Sequence, residues 1–379
     1  MPEPLPLYCA TDNEMYSSLM SAPQHFNLSE LREMGLQRGI VYSKDDDREY
    51  IIDQLSTQSF SYDQMRAIQE HFEYRGRGEK STVVRINHPF SVKELQQATE
   101  GYRSSLQSGE KIFTHADGPS AYDVELQYIE TDFSLVRLRQ RQKRDAKIHF
   151  EIEGDTTVVT FPSNTRAFEA VSRLRNSLST AKKIDPLVEQ IVLSGLPNAG
   201  SRTKFFVDLM TGVPNFVLLD VVRVRVEQAA KDDKTLLDAE YDEEANEHPD
   251  EEEEMLSLVR AVALNGENLL QSRVYQDLRK RGYFITSVRW KAKLTVDPYS
   301  LVEFDAAFED VAAGGRFRFS VLGWFPATKT GVFRKVIAPL PDSRRKEFLA
   351  AVDKRSIELY RAAKAAGNEV QGKSEGTTK

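Results

Sequence analysis

Arg137, Arg139, Arg141 and Lys143 occupy alternate positions in the stretch 133–161, FSLVRLRQRQKRDAKIHFEIEGDTTVVTF. In an extended chain alternate side chains share one face. Guanidinium and ammonium groups arranged this way break no bonds by themselves; their chemistry is the neutralisation of phosphate or carboxylate. The pattern predicts a long basic hairpin turning near Asp145, with Arg139 opposite Glu151 and Arg137 opposite Glu153 as cross-strand ion pairs. Arg141, Lys143, Arg144 and Lys147 then stand at the tip without obvious partners, which makes them the first candidate nucleic-acid contact. A second follows at once. Asn164 caps a predicted helix, 165–183, with Phe168, Val171, Leu174 and Leu178 on one side. Its other side carries Arg166, Arg173, Arg175, Lys182 and Lys183 against Glu169 alone, so hairpin and helix are expected to share a basic surface.

Two further cationic stripes lie nearer the C-terminus. Arg289, Lys291 and Lys293 alternate along a predicted strand, but a turn at Asp297-Pro298 sets Lys293 near Glu303 and Lys291 near Asp305, and this stripe is expected to be neutral. Arg316 and Arg318, on a later strand, have no such partners in the sequence and are secondary candidates. Sites of other kinds are poorly represented. The histidines at 25, 71, 88, 115, 149 and 248 show no metal-ligand spacing, and HADGPS around His115 and Asp117 is first of all a turn sequence. Gly195 and Gly200 have the spacing of a phosphate-binding loop, yet Ser201 stands where its lysine must be, so the segment reads as a Pro/Gly turn. No G-x-S-x-G elbow and no restriction-type nuclease core is legible. No catalytic residue, metal or cofactor is therefore assigned.

The single cysteine, Cys9, excludes an internal disulfide framework. There is no apolar run long enough for a membrane span, and the first residues lack the basic and apolar regions of a signal peptide, so a cytoplasmic protein without membrane contact is expected, with nucleoid or nucleus as the alternative intracellular locations. The formal net charge of -7 is unevenly spread. Residues 1–78 are acidic, 231–254 strongly so, and these conceal a basic C-terminal third. Eleven carboxylates between Asp238 and Glu254, with scarcely an apolar residue among them, predict a disordered acidic linker.

The elements that must position these residues begin with a short helix around 12–20. Leu28, Leu31 and Met34 or Leu36 then form a helical stripe that Gly39 stops. An extended link, 40–43, leads to a second helix opened by Asp45 to Asp47, with Ile51, Ile52 and Leu55 as its apolar side, and a third helix, 62–74, follows. Leu31, Arg38-Gly39-Ile40, Ser43-Lys44, Arg48-Glu49 and Ile52 to Leu55 resemble the SAP and LEM group of helix-extension-helix modules. The resemblance covers about residues 27–56, and the rest of the chain resembles no family. It implies DNA contact through Arg38, Lys44 and Arg48, or protein docking of the LEM kind; Asp45, Asp46, Asp47 and Glu49 crowd those cations.

The expected fold class is α+β: a helical module at 1–78, an α+β domain with the basic hairpin at 79–230, the acidic linker at 231–254, a second α+β unit at 255–340, a C-terminal helix at 341–367 ended by Gly367, and a disordered tail at 368–379. VRAVALNG, SRVYQDLRKRG and YFITSVRWKAKL echo EQIVLSG, SRTKFFVDLMTG and NFVLLDVVRVRV, so a degenerate strand-helix-strand repeat with antiparallel sheets is expected. The functional expectation is a non-enzymatic nucleic-acid-binding subunit of a larger assembly, with DNA the expected nucleic acid. The alternative is a scaffold or adaptor that docks a protein partner through the acidic helical module, and an enzyme built from scattered residues ranks below both.

Overall fold

A computed structural model describes residues 10–21, 26–72, 79–107, 109–228, 249–265, 273–297, 300–309, 315–327 and 332–375. In chain order its elements are α1 (Asp12–Met20), α2 (Leu28–Leu36), α3 (Arg48–Ser56), α4 (Tyr62–His71), β1 (Ser81–Ile86), α5 (Val92–Arg103), β2 (Lys111–Asp117), β3 (Ala121–Thr131), β4 (Arg141–Glu153), β5 (Thr156–Pro162), α6 (Thr165–Lys182), β6 (Val188–Gln190), α7 (Ala199–Gly212), β7 (Phe216–Gln228), α8 (Pro249–Asn265), α9 (Arg273–Lys280), β8 (Tyr283–Leu294), β9 (Ser300–Glu309), β10 (Arg316–Pro326) and α10 (Asp342–Glu375). The fold class is α+β, and every strand pairing with an assigned register is antiparallel. The chain forms two compact units that are not consecutive in sequence. One comprises Met1–Gly76, Val92–Ile148 and Glu169–Ala181, the other Arg77–Ser91, His149–Phe168 and Lys182–Lys379.

In the first unit α1, α2 and α4 each open on a capping box, centred on Thr11, Asn27 and Ser61. In each box the cap side chain and the third helical residue satisfy one another's backbone N–H groups. Gly39, at φ +77°, ends the α2 region in a left-handed conformation that a side chain would resist. The apolar faces of these helices bury Leu19, Leu31, Ile51, Ile52 and Leu55 together. Leu138, from the loop before β4, is buried in the same cluster, so the helices share their core with the loop that leads into the basic strand.

The second unit takes the end of β4, from His149, and orders its strands β4-β5-β1-β10-β9-β8-β7, with β6 also paired to β1. Strict alternation in β8 to β10 turns Val288, Trp290, Ala292, Val302, Phe304, Ala306, Phe317 and Phe319 to one face, all buried. α7, α8 and α10 pack on strands of this sheet and bury Phe206, Met255, Val259, Phe348 and Val352 in the same core. Glu189 of β6 accepts a forked hydrogen bond from Arg361 of α10, whose Nε lies 3.0 and 3.2 Å from the two carboxylate oxygens. That bond holds the Glu189 carboxyl below its usual pKa, against the opposing effect of burial. A depressed carboxylate contributes stability above its unfolded pKa, about 4.3, and loses it as pH falls through the folded value. Glu189→Gln should therefore flatten the acid limb of a stability-versus-pH curve below about pH 4.3, by no more than ~1 kcal/mol because both partners are solvent-exposed. Identical acid limbs in urea titrations of the two proteins would show that the pair contributes nothing.

Four expectations are corrected. The hairpin does not turn near Asp145: β4 runs straight through it, and the turn falls at Gly154-Asp155, where His149 pairs with Thr160 and Glu153 with Thr156. The reason is local, since Gly154 has φ +58° and supplies the positive φ that a two-residue hairpin turn needs. Arg137 and Arg139 thus precede the strand and cannot face Glu153 and Glu151. The connection between β8 and β9 is centred on Asp297 rather than Pro298, with the carbonyl and carboxylate of Asp297 both accepting from Ser300 (3.0 and 2.5 Å), and each partner shifts by two residues. The observed pairs are Arg289 with Asp305, Lys291 with Glu303 and Lys293 with Leu301.

VRAVALN lies in α8 rather than in a strand, so the expected strand-helix-strand repeat lacks its first element. Pro249 followed by acidic residues at the positive end of the helix dipole, then buried Met255, Leu258 and Val259 at helical spacing, accounts for the helix. The C-terminal helix does not stop at Gly367 but continues to Glu375. Most of the expected acidic linker, through His248, lies outside the described residues, and Asp250 to Glu254 belong to α8. Residues 376–379 of the expected tail are likewise outside them.

Candidate anion-binding site

The side chains first singled out are divided between the two units. On β4 the buried positions are Ala146, Ile148 and Phe150, which leaves Arg141, Lys143 and Lys147 exposed on the opposite face. Arg144 is on the other side and is engaged: its Nε donates to Glu130 of β3 at 2.7 Å. Arg139 donates to the Ser21 hydroxyl at 2.6 Å, with its guanidinium 5.2 Å from the Phe72 ring centroid. On α6, Arg173, Lys182 and Lys183 are exposed, Arg166 is half-buried, and Arg175 donates to its neighbour Asn176. Arg173 and Arg175 belong to the first unit, Arg166, Lys182 and Lys183 to the second.

The cations of the helical module are largely consumed by its own backbone. Arg38 donates to the Met34 carbonyl at 2.7 Å and lies over the Phe60 ring at 4.1 Å, and burial holds its pKa below the ordinary arginine value. Arg48 donates to the carbonyls of Phe26 and, at 2.7 Å, Leu19. Lys44 alone of the three is exposed with no such engagement. Of the secondary candidates, Arg316 stacks over Phe168 at 4.2 Å, and Arg318 is ion-paired to Glu309. The expectation that these two lack partners is therefore corrected.

The strongest convergence of cations lies on the polar face of the sheet in the second unit, opposite its aromatic core. The register places two adjacent rows across the strands. One runs Arg223 (β7), Arg289 (β8), Asp305 (β9) and Ser320 (β10); the next runs Arg225, Ser287, Ala307 and Arg318. Together with Lys80, just before β1, they surround a concavity of about 120 Å³ lined by Lys80, Arg223, Arg225, Ser287, Arg289, Asp305 and Arg318. Among its lining residues Ser287 is short where its neighbours are long, which leaves room between the arginines.

The charges in this concavity are held in two ways. Arg289 is braced by Asp305 at 3.3 Å, and Arg318 by Glu309. Arg223 and Arg225 are exposed and have no hydrogen-bond or ion-pair partner among the described residues. Arg223 and Arg289 are direct cross-strand neighbours, an arrangement of like charges that disfavours the sheet unless an anion sits between them. The forked donors of arginine match the paired oxygens of phosphate or carboxylate. The VRVRV alternation in β7 was the one available signal for Arg223 and Arg225.

No protein-family model matches the chain, and no curated protein is significantly similar to it. Among the described residues no group of three or more His, Cys, Asp and Glu is placed to hold a metal ion, and no helix is long and apolar enough to cross a membrane.

Proposed function

We propose that this is a nucleic-acid-binding protein, with DNA the expected ligand, whose contact is the cationic sheet face of the second unit. The observation that carries the reading is the convergence of Lys80, Arg223, Arg225, Arg289 and Arg318 on one concavity, two of the arginines, Arg223 and Arg225, having no partner among the described residues. Braced arginines meet an oxyanion with little loss of side-chain freedom, and phosphate neutralisation releases counterions from the nucleic acid. Phosphate contacts of this kind set affinity and salt dependence but carry no sequence information, so sequence-independent binding is expected.

Arg223→Glu/Arg225→Glu should weaken binding of a fluorescent duplex oligonucleotide at least tenfold near 100 mM salt. It should also reduce the slope of log K against log salt by roughly 2, about 0.9 per lost phosphate contact. A parallel variant, Arg141→Gln/Lys143→Gln/Arg144→Gln/Lys147→Gln, tests the β4 stripe. If only that variant lowers the affinity and the slope, β4 is the contact and the β7 to β10 face is not.

One observation favours a second reading. The helical module leaves Leu36, Val41 and Tyr50 more than half exposed, at 55%, 82% and 52%, beside Asp45, Asp47 and Glu49. Apolar side chains bordered by carboxylates suit an adaptor that docks a basic, partly apolar protein surface. Partners captured by the full chain that survive nuclease treatment, and are lost in Val41→Glu/Tyr50→Glu, would support it.

A further inference from the structure

We infer that the concavity between β7, β8, β9 and β10 is a site for a single phosphate monoester, such as a terminal phosphoryl group, which it holds more tightly than a phosphodiester of a continuous backbone. Resting on the same cationic face as the nucleic-acid reading, this site narrows the ligand from phosphate in general to phosphate with three unesterified oxygens. Size is the first reason. A volume of about 120 Å³ falls well below the roughly 300–1,000 Å³ of pockets that enclose a whole small-molecule ligand. It suits one tetrahedral oxyanion, with the remainder of the ligand outside.

Charge and donor count supply the second. Of the four arginines that face the concavity, Asp305 and Glu309 brace two, and the other two, Arg223 and Arg225, carry a charge that a monoester of about −1.5 to −2 meets more fully than a singly charged diester. The donors come from opposite sides: Arg223 and Arg225 from the edge strand β7, Arg289 and Ser287 from β8, Arg318 from β10 and Lys80 from the β1 side. A group with three free oxygens presents acceptors toward more of these directions than a diester, which has only two. The carboxylates of Asp305 and Glu309 leave Arg289 and Arg318 oriented before any ligand arrives, whereas Arg223 and Arg225 are free to close on it.

The test uses the full chain and inorganic phosphate, titrated calorimetrically at low chloride. Wild type should bind, and Arg223→Gln/Arg225→Gln should bind at least tenfold more weakly with a melting temperature no lower than that of wild type, since both side chains are exposed and a like-charge pair is removed. Ser287→Leu keeps every charge but fills part of the concavity with a larger side chain; it too should lose phosphate binding. Absence of phosphate binding by wild type, or equal binding by wild type and the arginine variant, overturns the site. If Ser287→Leu does not fold, the arginine variant decides alone.

A second arm compares one oligonucleotide with a 5′-phosphate or a 5′-hydroxyl. At least tenfold tighter binding of the phosphorylated form identifies a nucleic-acid end as the source. Equal oligonucleotide binding alongside retained inorganic phosphate binding identifies a small phosphate ester instead. If neither oligonucleotide binds at low salt while inorganic phosphate does, the nucleic-acid reading falls and the phosphate site stands.

Discussion

Trp290→Ala should lower the unfolding free energy by about 3–5 kcal/mol, the range for deleting a large aromatic from a packed core. Trp290 is fully buried on the apolar face of β8, with its ring stacked on Phe304 at 5.3 Å between centroids and 18° between planes. Phe304 in turn meets Phe216 edge-on, and Phe216 meets Phe348 of α10, so the cavity would open in the middle of a continuous aromatic layer. The indole Nε1 of Trp290 is buried without an acceptor among the described residues. An unsatisfied buried donor carries a desolvation penalty of ~1–3 kcal/mol, so Trp290→Phe should cost much less than Trp290→Ala. Urea denaturation of the three proteins checks this. Equal losses for Phe and Ala would mean that the ring's size, rather than its orphaned N–H, governs the site.

Asp353→Ala should be comparably damaging, at about 3–5 kcal/mol, because it leaves the Arg85 guanidinium as an uncompensated buried charge. Arg85 lies on β1 and Asp353 on α10, and their side chains, 10% and 13% exposed, form an ion pair. Burial pushes the Asp353 carboxyl up, and the neighbouring Arg85 charge pulls it down without cancelling the rise. Desolvation therefore outweighs attraction at this carboxylate, and the second oxygen, Oδ1, is buried with no hydrogen-bond partner. Breaking the pair is costly, yet the pair itself adds little. Arg85→Met/Asp353→Leu should accordingly come within ~1 kcal/mol of wild type or exceed it. The sign of the pH effect follows from the raised pKa: the contribution of Asp353 is fully present below its unfolded value, ~3.9, and is lost as pH rises through the folded value. A double variant as unstable as Asp353→Ala would show that the ion pair holds α10 on the sheet by more than its geometry.

Much of the local structure was written in the sequence, because caps, glycines and periodicity act over a few residues. The helix 12–20, the break at Gly39, the acidic start of the helix after Asp47 and the alternating strands before and after Asp297 all follow from such short-range signals. Where short-range signals competed, the reading failed. Basic alternation around Asp145 looked like a hairpin tip, but only Gly154 has the backbone freedom to make the turn. The apolar run VRAVALNG looked like a strand until the preceding proline and acidic residues were seen to open a helix.

The candidate site could not be read in the same way. Lys80, Arg223, Arg225, Ser287, Arg289, Asp305 and Arg318 come from five separate strand regions, and each taken alone is an ordinary polar position on an amphipathic strand. Whether Arg289 is neutralised, and by which carboxylate, depends on a turn centre that moves every cross-strand partner by two residues when it shifts by one. Composition and spacing determined that this chain carries stripes of positive charge on an α+β scaffold. Only the pairing of β7 to β10 decided that these arginines meet beside the short Ser287, with Arg223 and Arg225 exposed. Register is a long-range property, set by how the aromatic face of the sheet packs against α7, α8 and α10, and no local stretch of sequence contains it.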